Sequence, residues 1–274
     1  GYLGADLHES GSVSIVQEYN LADFAIASLG KTLGDSLLYN TYLKRSQSYR
    51  QLLDPNFNLL RPKNSDGSWL TPFDPDTGAN FVKNPGYIEG NAWQYSFMVP
   101  HDIPGLMNLM GGSDPFVKQL DRVFDNNQFD MANEPDIAYP FLYNYVPDQA
   151  WKTQKRVRSL LERYYTNTPD GLPGNDDTGT MSAWAVWSMM GLYPIIPSLP
   201  VYAVTAPSFQ EIKIRLDPKY HHNSELIIRA NSPEIHSYIS KVYSGNELLK
   251  ELFISHQGLM ENGQLLFELK SKID

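Results

Sequence analysis

A chain of 274 residues, 42% hydrophobic and 19% charged, can bury a substantial core, and its length allows one large domain or two modest ones. A net charge of -9 with no long run of Lys or Arg argues against nucleic acid as a partner, and the lack of any apolar run of about 18 residues argues against a membrane span. Zero cysteines exclude disulfides, zinc-thiolate sites and a thiol nucleophile together.

The opening stretch, GYLGADLHESGSVSIVQEYNLADFAIASLG, has no initiating Met, no basic leader and no apolar signal core, and it reads as the interior of a longer chain. From 13 to 34, Leu21, Phe24, Ala25, Leu29 and Leu33 recur at helical spacing with Ser28 on the same face, and Gly34 stands where a left-handed cap ends a helix. A second helical pattern, SLLYNTYLKRSQSYRQLLDPN, is expected to run to Asp54, because Pro55 disfavours α geometry at the residue before it. Residues 55 to 92 are rich in Pro, Gly, Asn and Asp, and RPKNSDGSW and PFDPDTGAN read as turns. So long an irregular stretch points to a binding loop.

Helical patterns resume at GLMNLMGG and at SDPFVKQLDRVFD, where Asp114 is the expected cap, Pro115 fits the first turn, and Phe116, Leu120, Val123 and Phe124 form a stripe. Another follows at 150 to 165 with Val157, Leu160, Leu161 and Tyr164 on one face. MSAWAVWSMMGLYP is apolar nearly all round and is expected to be buried. After Pro200 short β-rich runs take over: VYAVTA, EIKIRL, ELIIRA, YISKVY and LLFELK, with alternation such as Ile212, Ile214, Leu216. The expected organisation is therefore a helical portion, 1–200, with functional groups on loops at one rim, and an antiparallel β module, 201–274.

No nucleophile elbow, phosphate-cradling loop or zincin motif occurs, which leaves acidic residues in loops. Three clusters stand out: YIEGNAWQY with Glu89, NEPDIAYPF with Glu134 and Asp136, and GLPGNDDTGTMSAW with Asp176 and Asp177. Glycosidic cleavage needs one protonated carboxyl and one ionised partner. Tyr87, Trp93 and Tyr95 around Glu89 would remove water and favour the acid, while amides at a helix start would favour an ionised base at Asp176 or Asp177. Bland readings stand beside these: a surface salt bridge for Glu89, N-capping for the two aspartates, and structural roles for His101 and Asp102. Asn133 and Glu134 supply hard oxygen donors suited to calcium. Trp151 and Lys152 open a basic helix that is either a solvated face or an edge reaching the cleft. The high aromatic share, with 17 Tyr and 5 Trp, suits either stacking on sugars or the packing of helices.

YIEGNAWQYSFMVPHD, NEPDIAYPFLYNYVPDQAWKTQ and GLPGNDDTGTMSAWAVWSMMGLYP, in that order, resemble the signature blocks of glycoside hydrolase family 92, and SVSIVQEYNLADFAIASLGKTLGD resembles the helix upstream of them. The resemblance covers about residues 1 to 205 well and the β tail loosely. It implies a mainly α chain with a β tail: part of an (α/α)6 barrel followed by a small antiparallel β module. It also implies a calcium-dependent, inverting exo-α-mannosidase, with α-1,2 linkages in mannose-containing oligosaccharides or glycoprotein glycans as substrate, and a periplasmic or extracellular location. By the same resemblance Glu89 matches the general acid and Asp177 the general base. Asp176 is the second candidate for the base, because Asn175 stands where some relatives carry a supporting carboxylate. Glu134 falls near substrate and metal, Asn133 and Glu134 are the metal candidates, and Trp93, His101 and Asp102 fall near the sugar; Trp151 and Lys152 are added as substrate-binding candidates from the start of the basic helix. Two rivals remain: a glycan-binding fragment without turnover, and another (α/α)6 glycosidase that needs no calcium.

Overall fold

The computed structural model describes residues 1–8, 10–78 and 84–273, so the end of the PFDPDTGAN turn lies outside the described residues. The chain divides into two compact units, Gly1–Tyr139 and Pro140–Asp274. In the first, helices α1 (Ser12–Leu33) and α2 (Ser36–Arg45) precede a short hairpin of β1 (Leu53–Asp54) and β2 (Leu59–Leu60), and then come α3 (Ala92–Ser96), α4 (Ile103–Leu109) and α5 (Ser113–Asp125).

Gly34 ends α1 in the left-handed region at φ 73°, and Asp35 at once caps α2 by accepting from the Leu38 amide at 2.9 Å. A Cβ on Gly30 would stand 2.8 Å from the Tyr39 nitrogen, so glycine is what lets the two helices approach. The apolar stripe expected on α1 is not its core face: Leu29 is 54% exposed and Leu33 69%. The buried face instead mixes Val13, Val16 and Ala27 with Gln17, Asn20 and Asp23. That face lies on the end of α3 and on residues 48–49, whose polar groups need partners. The Gln17 amide donates to the Tyr95 and Met98 carbonyls at 3.2 and 2.9 Å, while Asn20 donates to Ser48 Oγ at 2.8 Å and accepts from the Tyr49 amide at 3.1 Å. Leaving a buried polar group unpaired costs about 1–3 kcal/mol, comparable to what burying a leucine gains.

Helix α2 also departs from expectation, stopping at Arg45 rather than Asp54. A 3-10 turn, Ser48–Gln51, follows, and Asp54 enters the hairpin with its carboxylate fully buried and 2.8 Å from Arg61. The Arg61 guanidinium also donates to the Leu70 carbonyl at 2.7 Å, so this tertiary ion pair outranks the helical pattern. Helix α5 starts two residues early, with Gly112 at the N-cap and Asp114 in the first turn, and its Phe116, Leu120 and Val123 are fully buried as the spacing predicts.

The second unit contains α6 (Ala150–Tyr164), α7 (Thr180–Met190), strands β3 (Leu192–Tyr193), β4 (Val201–Val204), β5 (Glu211–Arg215), β6 (Glu225–Ala230), β7 (Tyr238–Ser244), β8 (Glu247–Leu248) and β9 (Phe253–Ser255), helix α8 (His256–Asn262) and β10 (Gln264–Lys270). A five-stranded sheet runs in the order β5-β6-β10-β7-β8 and a three-stranded one β3-β4-β9. Every pairing in these two sheets is antiparallel except β6 with β10, which is parallel, so the β module is mixed rather than purely antiparallel. The core gathers Leu192, Val204, Leu226, Ile228, Val242, Leu265 and Phe267, with Trp187 and Met190 of α7 packed against it. Helix α7 is not buried all round: Met181, Trp184, Ala185 and Ser188 are buried, whereas Val186 is 57% exposed. The change of texture near residue 200 is a change of secondary structure inside this unit, because compactness divides at 139/140.

Candidate active site

In the first unit Glu89 sits on a sharp turn at φ 53°, left-handed backbone that a non-glycine residue rarely adopts, and it is exposed. The turn is clamped on both sides. The Ile88 amide donates to Ser14 Oγ at 2.9 Å and the Ile88 carbonyl accepts from the Tyr95 hydroxyl at 2.7 Å. The Glu89 carbonyl accepts from Asn133 Nδ2 at 2.9 Å. Asn91 then caps α3 through a reciprocal capping box with Gln94.

Tyr87 and Trp93 are buried, whereas Glu89 is exposed, so these rings support the turn instead of walling in its carboxyl. Trp93 is 3% exposed and offers no face to a sugar. Its indole N–H donates to Asp76 Oδ1 at 2.6 Å and Arg122 lies 4.9 Å from its ring. Gln128 links Asp76 to Asn91, accepting from Asn91 Nδ2 at 2.9 Å and donating to Asp76 at 3.4 Å.

Glu18 on α1, not singled out by the sequence, joins this region. It is exposed as a residue, yet its carboxyl is pushed up, first by partial loss of water and then by the charge of Glu134. Burial first, then the charges of Glu18, Glu89 and Asp136, raise the Tyr95 hydroxyl, although a hydrogen bond with Ser14 works the other way. Asp136 is fully buried. Its Oδ2 accepts from the Asp130 amide at 2.8 Å, its Oδ1 has no partner, and desolvation holds its carboxyl well above the usual range. Glu18 and Glu134, with the Asn133 amide whose nitrogen is committed to Glu89, thus gather hard oxygen donors in this region. Among the described residues no group of three or more His, Cys, Asp or Glu could hold a metal ion.

His101 and Asp102 are engaged in holding the helices together. His101 Nε2 donates to the Ser46 carbonyl at 2.9 Å beside the rings of Phe24 and Tyr49, and burial pushes its imidazole down. Asp102 accepts from Tyr49 and Arg50, both at 2.7 Å, and from the Gly105 amide at 3.1 Å.

In the second unit the two aspartates separate. Both oxygens of Asp176 are taken by Ser182, from its amide and its hydroxyl at 2.8 Å each, and these bonds lower its carboxyl. Asp176 thus holds the first turn of α7 from outside its N-cap, which is Gly179. Asp177, Thr178 and Gly179 run through three consecutive left-handed conformations, φ 46°, 60° and 93°. The Asp177 carbonyl is anchored by Thr180 Oγ1 at 2.7 Å while Asp177 itself is exposed. Tyr165, also missed by sequence reading, stacks on Trp184 with ring centroids 5.7 Å apart, and its unpartnered hydroxyl is raised by burial and by the charge of Asp176.

Tyr165 thus marks the C-terminal end of α6 as the end near Asp176. Trp151 and Lys152 lie at the other end of that 15-residue helix, about 20 Å away at 1.5 Å per residue, with the Lys152 ammonium 5.6 Å from the Tyr143 ring.

Residues 1–271 match the family model described as the glycosyl hydrolase family 92 catalytic domain. The chain belongs to glycosyl hydrolase family 92. A family 92 alpha-mannosidase from Bacteroides thetaiotaomicron, solved in complex with mannoimidazole, is similar at 30% identity and a TM-score of 0.89, over 100% of this chain and 38% of that one. An inverting family 92 mannosidase from the same species is similar at 27% identity and a TM-score of 0.84, over 95% of this chain and 37% of that one. A protein of Arthroderma benhamiae named as an uncharacterised secreted glycosidase is 29% identical over 96% of this chain and 36% of its own length. The chain therefore spans little more than a third of the relatives it matches. Membership and the mainly helical fold with a β module agree with the expectation from the three motif blocks. Among the described residues no helix is long and apolar enough to cross a membrane.

Proposed function

We propose that this family 92 chain carries the catalytic carboxylates of an inverting α-mannosidase acting on terminal, α-1,2-linked mannose in secreted glycans. One observation carries this reading: Glu89 and Asp177, the two residues that match the family's acid and base, are both exposed and both held on left-handed backbone by hydrogen bonds from their own unit. Strain of that kind costs on the order of 1–3 kcal/mol per residue and persists where it serves a site.

Glu89 would give its proton to the departing glycosidic oxygen as Asp177 takes one from the water attacking C1 on the opposite face. Atoms balance as one water added across the bond. Inversion requires about 6.5–9.5 Å between the two carboxyls, and retention about 5–5.5 Å. Asp176, occupied by Ser182, positions the loop and leaves the proton transfer to Asp177.

The donor chemistry of Glu18, Glu134 and the Asn133 amide oxygen suits a hard cation only as part of a shell, with water and sugar hydroxyls completing it. Calcium bound there would polarise the sugar hydroxyls and ease ring flattening. Location outside the cytoplasm is part of the same reading, supported by the name of the Arthroderma relative.

The test is proton NMR of the anomer first released from methyl α-mannoside, whose leaving group needs a proton, run on the wild type and on Glu89→Gln and Asp177→Asn. β-Mannose first, with turnover lost in both variants, is the expected result. α-Mannose first, or undiminished turnover in either variant, overturns it, and binding without turnover in the wild type points to a glycan-binding fragment.

A further inference from the structure

A cleft of about 500 Å³ opens at the N-terminal end of α6, wholly within the second unit, and the catalytic reading makes no use of it. Its walls come from the segment leading into α6 and from the loop joining β8 to β9. Tyr145 and Phe253 meet there with ring centroids 4.7 Å apart and planes tilted by 54°. Asn144 lines the same wall. Its Nδ2 donates to the Val204 and Leu252 carbonyls at 2.9 and 3.0 Å, while its Oδ1 is buried with no hydrogen-bond partner. Asp148, Lys250 and Glu251 border the opening and are exposed.

We propose that this cleft is a second, non-catalytic saccharide-binding site. The volume falls within the roughly 300–1,000 Å³ of small-molecule sites. The Tyr145 and Phe253 rings on the lining give a pyranose its apolar contact. The charges at the rim are of both signs, which disfavours a phosphate or a bare cation, since either would meet a like charge. A neutral polyol meets no such penalty: its hydroxyls donate to Asp148 and Glu251 and accept from Lys250.

The cleft stands at the opposite end of α6 from Tyr165, about 20 Å along a 15-residue helix, and Tyr165 is the residue that feels the charge of Asp176. A mannosidase with such a site could hold one branch of a glycan while another enters the catalytic centre, raising the local concentration of chain ends. The proposal takes from the mannosidase reading only the choice of its first probe.

Hydrogen–deuterium exchange on the full chain, made inactive by Glu89→Gln with Asp177→Asn, is the test, using α-1,2-mannobiose and cellobiose as probes. Protection of residues 144–148 and 250–253 by either sugar is expected. Phe253→Ala should weaken it at least tenfold, and the exposed pair Lys250→Ala with Glu251→Ala several-fold, with no change in the rate on an aryl α-mannoside when introduced into the active chain. The surface pair decides the matter if Phe253→Ala fails to fold. No protection by either sugar, or protection that the surface pair leaves unaltered, overturns the proposal. Protection in a chain that cleaves no mannoside would retain this site and remove the catalytic reading, and cleavage without protection would do the reverse.

Discussion

Replacing Asn133 by alanine tests how the Glu89 turn is held. The Asn133 amide contributes one hydrogen bond, 2.9 Å long, to the Glu89 carbonyl. A neutral bond of this kind is worth about 1 kcal/mol net. It opposes the tendency of Glu89, at φ 53°, to leave the left-handed region. At 1.36 kcal/mol per tenfold, losing about 1 kcal/mol lowers the population of the competent turn by about fivefold. If Glu89 is the proton donor, kcat should fall about fivefold for a mannoside whose leaving group needs a proton, such as methyl or 4-methoxyphenyl. For 2,4-dinitrophenyl α-mannoside, which leaves as a stable anion, kcat should barely change. Steady-state rates on both substrates, with calcium saturating, give the comparison. Equal losses on the two substrates would mean that Asn133 acts other than through Glu89, and no loss on either would mean that the bond does not hold the turn.

Removing Arg61 should be costly, because Arg61→Met leaves the fully buried Asp54 carboxylate without its partner; denaturant unfolding should show a loss of roughly 3–5 kcal/mol. His101 is held below its ordinary range by burial, so the unfolded chain takes up a proton first as pH falls. Stability is therefore complete above the ordinary imidazole range, declines as pH drops through about 6.5 toward the lower folded value, and should decline less steeply in His101→Gln, as read from Tm against pH. A calcium chelator should abolish mannoside cleavage and added calcium restore it, with Glu134→Gln raising the calcium concentration needed; cleavage indifferent to the chelator would instead favour a calcium-independent glycosidase. Ser182→Ala removes one of the two bonds on Asp176 and should lower activity through loop placement, with the pH dependence of kcat unchanged if Asp177 is the base.

The amino-acid sequence by itself determined the helices α5 and α6, the alternating strands of the tail and the family, because each is written in periodicity or motif order over contiguous residues. It also placed Glu89 and Asp177 on loops, since glycines and prolines around them leave no other local structure. What it did not carry is which surface each element turns inward. Helix α1 shows Leu29 and Leu33 to solvent and buries Gln17 and Asn20, a choice dictated by the carbonyls and amides beneath it. Trp93, His101 and Asp102 look like ligand groups in a motif, yet Asp76, Ser46, Tyr49 and Arg50 claim them. Only tertiary structure distinguished Asp176, spent on Ser182, from its neighbour Asp177, turned out by three left-handed residues. Spacing along a chain records which residues can share a face, but hydrogen-bond partners and burial are set by groups distant in sequence, and those decide which face does the work.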